Sequence, residues 1–236
     1  MNQPRFETRF WFRHALLPLL LFTLLAVLFE LTNLDLWLSD PWYDKVGGVW
    51  TFKRSWWAEG LIHKGGRNLV AAAALFAATC WGLSFRLGQL RPWRRVSLFL
   101  ALAIVLGTGS VALGKATINR HCPWDYDRYG GAVPYAKLLE PAPAGCKPGH
   151  GFPAGHASGA LSLMSSYFVF YGRSRNRALA GLSTGLLFGA VFGFGQLVRG
   201  AHFASHNVWS AAICWFAALT LYVFVFRGRL FPESAP

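Results

Sequence analysis

Six apolar stretches, at roughly residues 15–33, 68–85, 96–114, 156–171, 178–198 and 203–226, constrain this chain more than any other feature. A helix that crosses the hydrocarbon core of a bilayer needs about 20 mostly apolar residues, and each stretch approaches that length. In lipid, every backbone N–H and C=O must be satisfied within its own segment, so such stretches fold as helices. Hydrophobic residues make up 54% of the 236 and charged residues only 14%, more apolar surface than one soluble core requires. The expected fold is all-α: an integral membrane bundle of six transmembrane helices forming a single domain, residues 1–236.

The formal net charge of +13 would point to nucleic acid in a soluble protein, yet here the basic residues follow topology. Arg5, Arg9 and Arg13 precede the first stretch, Arg86, Arg91, Arg94 and Arg95 separate the second from the third, and Arg173, Arg175 and Arg177 separate the fourth from the fifth. Arg227 and Arg229 follow the sixth. Short arginine-rich connections stay on the cytoplasmic side, so both termini are expected to be cytoplasmic. The lysines (Lys45, Lys53, Lys64, Lys115, Lys137 and Lys147) fall in or beside the opposite connections, which face outward. The bilayer is the expected partner, with no nucleic acid; the pattern leaves the oligomeric state open. The N-terminal apolar run is too long for a signal peptide and no small-x-small cleavage site precedes Asp35, so it is expected to be a retained anchor.

Two outer segments stand apart. Residues 34–67 carry Trp37, Trp42, Trp50, Trp56 and Trp57 among mixed charges, the composition of an interfacial belt. The loop over residues 116–155 contains Pro123, Pro134, Pro141, Pro143, Pro148 and Pro153, which interrupt any long helix. Cys80 and Cys214 lie inside apolar stretches, whereas Cys122 and Cys146 share that outer loop. A disulfide is open only to the second pair, if the outer side is oxidising; the alternative is that Cys122 packs beside Pro123. Gly181, Gly185, Gly189, Gly193 and Gly195 recur largely at four-residue spacing in the fifth stretch, a pattern that permits close helix packing.

Ionisable groups bordering a membrane bundle are costly, so their convergence at one depth marks function. Three clusters qualify: Lys115 with Arg120 and His121, Phe152-Pro153-Ala154-Gly155-His156, and Arg199-Gly200-Ala201-His202-Phe203-Ala204-Ser205-His206. All three fall on the outer side of the topology above. Their order resembles the type 2 phosphatidic acid phosphatase family, whose pattern is Lys-x6-Arg-Pro, then Pro-Ser-Gly-His, then Ser-Arg-x5-His-x3-Asp. The resemblance runs from Lys115 to His206.

It implies a membrane lipid phosphatase acting on a phosphomonoester or pyrophosphate, in which His202 is the phosphorylated nucleophile and His156 protonates the leaving group. Lys115, Arg199 and the backbone of Gly155 would bind phosphate, no cofactor or metal being needed. Four positions depart from the pattern. Cys122 stands where the first arginine belongs, which makes Arg120 its candidate substitute, and Ala154 replaces the serine. Gln196 stands where the third motif has arginine, leaving Arg199 as the nearby cation. His206 replaces the final acid, and no Asp or Glu lies between Glu140 and Glu233. The group that orients His202 is then His206, one helical turn away, or Asp125 in the outer loop. His14, His63, His121 and His150 have no matching motif role and are read as non-catalytic.

Phosphoryl transfer needs cations around the equatorial oxygens, an in-line nucleophile and a protonated leaving group, and this set provides each. A zinc site at His202, His206 and His156 is the rival, disfavoured because Lys115 and Arg199 would repel the ion. Transfer to a second lipid would make the chain a phosphotransferase; loss of catalysis at the departing positions would make it a lipid-binding or transport protein. The substrates implied are lipid A, undecaprenyl pyrophosphate, phosphatidylglycerophosphate and phosphatidic acid, the long outer loop and Trp-rich segment favouring the bulkier first two. The expected location is a bacterial inner membrane with the site facing the periplasm.

Overall fold

A helix lies on each of the six apolar stretches in the computed structural model, which describes residues 6–232; Arg5 and Glu233 lie outside the described residues. In chain order the helices and strands are α1 (Thr8–Leu31), α2 (Leu34–Ser39), β1 (Tyr43–Asp44), β2 (Val49–Trp50) and α3 (residues 56–83). Then follow α4 (Gly88–Thr117), α5 (residues 155–170), α6 (Arg175–Leu197) and α7 (Ala204–Val225). Four of these, α1, α4, α6 and α7, are long and apolar enough to cross a membrane, with mean hydropathies of 2.1, 2.3, 1.6 and 2.0. The other two fall short of that measure for visible reasons. Helix α3 opens with Glu59, His63, Lys64 and Arg67, and α5 is assembled from successive turns of 7, 4 and 5 residues.

Helix α5 is the axis of the bundle. Small and apolar residues from Ala157 to Val169 are buried, and α4, α6 and α7 pack around them. The glycines of α6 make this possible: a Cβ at Gly185 would collide with the backbone nitrogen of Met164, one at Gly181 would lie 2.5 Å from Ser166 Oγ, and one at Gly189 would meet the Leu161 side chain. Helix α1 rests on α7 and, near its start, on α5, where His14 Nε2 lies 2.8 Å from the Tyr167 hydroxyl; the rest is largely bare, with only 6% of its apolar window buried and Leu24 66% exposed. Removing apolar surface from water is worth about 25 cal/mol per Å², so a leucine-coated helix left this bare is stable in lipid and not in water.

The outer connections are pinned to one another. Strands β1 and β2 pair antiparallel, Tyr43 with Trp50 and Asp44 with Val49. The buried Trp50 ring lies under Gly200, whose φ of +73° and lack of a Cβ permit both the left-handed turn and the contact. Arg128 pairs with Asp40 through Nε–Oδ1 at 2.9 Å, and the Tyr129 hydroxyl donates to the same oxygen. Lys137 Nζ donates to the Glu30 carbonyl at 2.9 Å and Leu139 N to Glu30 Oε1 at 3.1 Å, which fastens the 116–155 loop to the end of α1. Cys122 and Cys146 are free thiols, so the disulfide left open by the sequence is not formed. Burial pushes the Cys122 thiol up to about 12, which suppresses its thiolate.

Candidate active site

The segment joining α6 to α7 turns back on itself, with Ala201 N and His202 N reaching the Gln196 carbonyl at 2.9 and 3.4 Å. This return carries His202 into the interior, where it is 3% exposed. Its Nδ1 lies 2.7 Å from the carbonyl oxygen of Gly151. A carbonyl only accepts, so Nδ1 carries the proton and Nε2 presents a lone pair. Burial, reinforced by His206 and Lys115, holds the imidazole well below its ordinary pKa. At neutral pH the ring is therefore uncharged and nucleophilic at Nε2.

Gly151 can sit there because it lacks a side chain. Its N–H donates to the Arg120 carbonyl at 2.6 Å, and a Cβ would strike the His121 carbonyl group. Gly151→Ala is expected to displace this loop segment and lengthen the bond to His202, lowering kcat/KM about 10- to 100-fold while the protein stays folded. Phosphate-release kinetics beside a thermal melt check it.

His156 is the second residue of α5. Gly155 before it packs on Lys115 in the last turn of α4; a Cβ there would lie 3.4 Å from Lys115 Cδ and 3.8 Å from Nζ. Lys115 and His156 both act electrostatically on His202, and Lys115, Arg199, Arg67 and His63 act on His156. Arg199 is buried, its Nη1 donating to Gln196 Oε1 and its Nε to the Lys53 carbonyl, each at 3.2 Å. Gln196, standing where the family pattern has arginine, thus anchors the nearby Arg199. His202, His156, Lys115, Arg199 and Gly155 are brought to one cluster.

Arg120 is placed otherwise: its guanidinium donates to the carbonyls of Leu138, Asn119 and Glu140. That fork closes the outer loop and commits the guanidinium to main-chain carbonyls. Asp125 caps its own turn, with Oδ2 accepting from Cys122 N at 3.0 Å, and does not orient His202. His206 does not either, because Gly151 occupies Nδ1 of His202; the two imidazoles lie 5.8 Å apart at 68°, and Nδ1 of His206 has no hydrogen-bond partner among the described residues. No group of three His, Cys, Asp or Glu among the described residues is arranged to hold a metal.

Two residues escaped the sequence reading. His63, read as non-catalytic, stacks on His156 with ring centroids 3.8 Å apart at 33°. Arg67 follows it one turn later on α3, and those basic residues at i and i+4 at the start of an apolar run were the available signal. Asp35, at the start of α2, is buried and accepts hydrogen bonds from both N–H and Oγ of Ser205. It caps α7 from 170 residues away, satisfying an N–H that the helix itself leaves open.

A bundle with bare apolar helices, joined to a buried neutral histidine among fixed cations, defines a membrane-type protein built to handle phosphate. Residues 94–229, more than half of the chain, match the PAP2 superfamily, and the chain belongs to it. Membership points to phosphatase activity on phosphate esters. No curated protein and no solved structure matches the chain.

Proposed function

We propose that this chain is a membrane lipid phosphate phosphatase working through a phosphohistidine on His202. The observation that carries this is the His202 Nδ1–Gly151 carbonyl bond, which leaves the Nε2 lone pair free in a cluster that also holds Lys115 and His156. Nε2 attacks phosphorus, and the N–P bond forms as the P–O bond to the leaving group breaks. On binding, the anionic phosphate supplies the counter-charge that holds a proton on His156, which gives it to the departing oxygen and then takes one from the water that cleaves the N–P bond. Lys115, Arg199 and the Gly155 N–H balance the charge on the equatorial oxygens.

In this reading α3 and α5 complete a six-helix bundle with both termini cytoplasmic, and the site opens on the opposite, periplasm-like face of a bacterial inner membrane. Residues 34–67 and the 116–155 loop form its outer rim within one domain. The lipid is drawn laterally from the bilayer, with lipid A and undecaprenyl pyrophosphate the bulky candidates ahead of phosphatidylglycerophosphate and phosphatidic acid.

The test is purified protein with chelator and those four lipids, phosphate-labelled. The wild type should release phosphate from at least one, and His156→Gln should accumulate acid-labile label on His202. Release without any labelled histidine, or a dependence on added metal, would overturn the mechanism. Uptake of lipid with no release would instead identify a binding protein, and label appearing on a second lipid a phosphotransferase.

A further inference from the structure

The two histidines of the proposed reaction are held by different means. His202 is fixed by its hydrogen bond to the Gly151 carbonyl. The ring of His156 makes no hydrogen bond among the described residues, and its ring contact is with another imidazole, that of His63, with centroids 3.8 Å apart and planes 33° apart. As the second residue of α5, His156 has no preceding helical turn to confine its side chain. The stack against His63 is what sets the plane of this ring.

His63 sits on a rigid support. A Cβ at Gly66 would collide with the Phe192 ring, and one at Gly195 would lie 2.8 Å from Ile62 Cγ2, so α3 is pressed against α6 just before and just after residue 63. Residues 56–65 are wound in wider i→i+5 turns, a departure from α geometry that is rare and concentrates at functional sites. Nδ1 of His63 is buried with no hydrogen-bond partner among the described residues, so what the ring offers His156 is its face. Two imidazolium charges at this spacing would repel, and the stack carries one proton, not two. When bound phosphate holds that proton on His156, the neutral face of His63 lies against the cation. His63 also precedes residues 94–229, the part of the chain that matches the family.

We propose that His63 is a positioning residue for the leaving-group proton: its ring face fixes the plane of His156 and so the direction in which that proton reaches the departing oxygen. This rests on His156 acting as the acid of the reaction set out above. Proton transfer from a positioned side chain contributes about 10²- to 10⁴-fold. A His156 ring free to swing forfeits part of that factor, while the nucleophile and the cations around phosphate stay in place.

The experiment compares dodecyl phosphate with S-dodecyl phosphorothiolate, in which sulfur replaces the bridging oxygen, using the full-length protein in detergent micelles. The two share one hydrocarbon chain, but the alkoxide must be protonated to leave and the thiolate need not be. His63→Ala, and His63→Leu, which fills the space without a flat face, should each lower kcat/KM for dodecyl phosphate about 30-fold and for the phosphorothiolate less than about threefold. His63→Phe, which restores a flat face, should return dodecyl phosphate turnover to within about threefold of the wild type. Melting curves accompany each variant, and a ring needed only for packing would lower both substrates alike. Equal losses on the two substrates, or no recovery in His63→Phe, overturn the positioning role while phosphate release through a labelled His202 leaves the proposed phosphatase standing. No phosphate from either compound with the wild type, and no labelled His202, would sink both.

Discussion

Replacing His202 by asparagine is expected to lower kcat/KM for phosphate release by about 10⁴-fold or more, with most of the loss in kcat. The amide can still donate to the Gly151 carbonyl, so the loop that returns from α6 to α7 keeps its anchor. What disappears is the lone pair at Nε2, and an amide nitrogen does not replace it as a nucleophile. Steady-state kinetics in micelles, paired with a melting curve to show that the variant is folded, measure this. A variant retaining a tenth of the wild-type rate would remove His202 from the covalent step. Because burial holds this imidazole well below its usual pKa, its protonation should not cost activity until the pH is well below 6.5.

Asp35→Ala is expected to be the most damaging change distant from the motifs, costing about 2–4 kcal/mol of stability. It strips the capping acceptor from Ser205 N–H and from the Ser205 hydroxyl at a buried helix start. A shifted start of α7 also moves His202, three residues before Ser205, so kcat/KM should fall together with the melting temperature. Burial raises the pKa of Asp35 to about 6 from an ordinary 3.8. The folded state therefore binds more protons than the unfolded state between these values, and stability must decline as pH rises from about 4 to about 6. Asp35→Asn keeps an acceptor for Ser205 N–H and carries no titrating proton. It should melt close to the wild type at neutral pH and lose this part of the pH slope; an unaltered slope would assign the titration to another group.

Apolar runs made the helices readable because burial in lipid is written into composition segment by segment. The start of α3 was hidden, since its first turns carry Glu59, His63, Lys64 and Arg67 and so resemble a polar loop. His156, His202, Lys115 and Arg199 could be named from spacing and order. Their partners could not: Asp35 meets Ser205, and Gly151 meets His202, across long intervals with no local mark. Arg120 illustrates the converse. Its distance from Lys115 along the chain invited a role at phosphate, but spacing does not fix where a guanidinium points, and the carbonyls of Leu138 and Glu140 capture it. Asp125 likewise spends its carboxylate on the neighbouring Cys122 N–H.

The group that aligns the His202 imidazole belongs to the main chain, and an amide oxygen has no ionisation of its own in the working range of an enzyme. A carboxylate in its place would lose its grip in acid and would lend its negative charge to the ring. Here the alignment persists as the medium acidifies, at the cost of a less basic nitrogen. No single side-chain exchange can delete the aligning atom, so this ring is robust to mutation of its neighbours and vulnerable only to movement of the loop segment that carries Gly151.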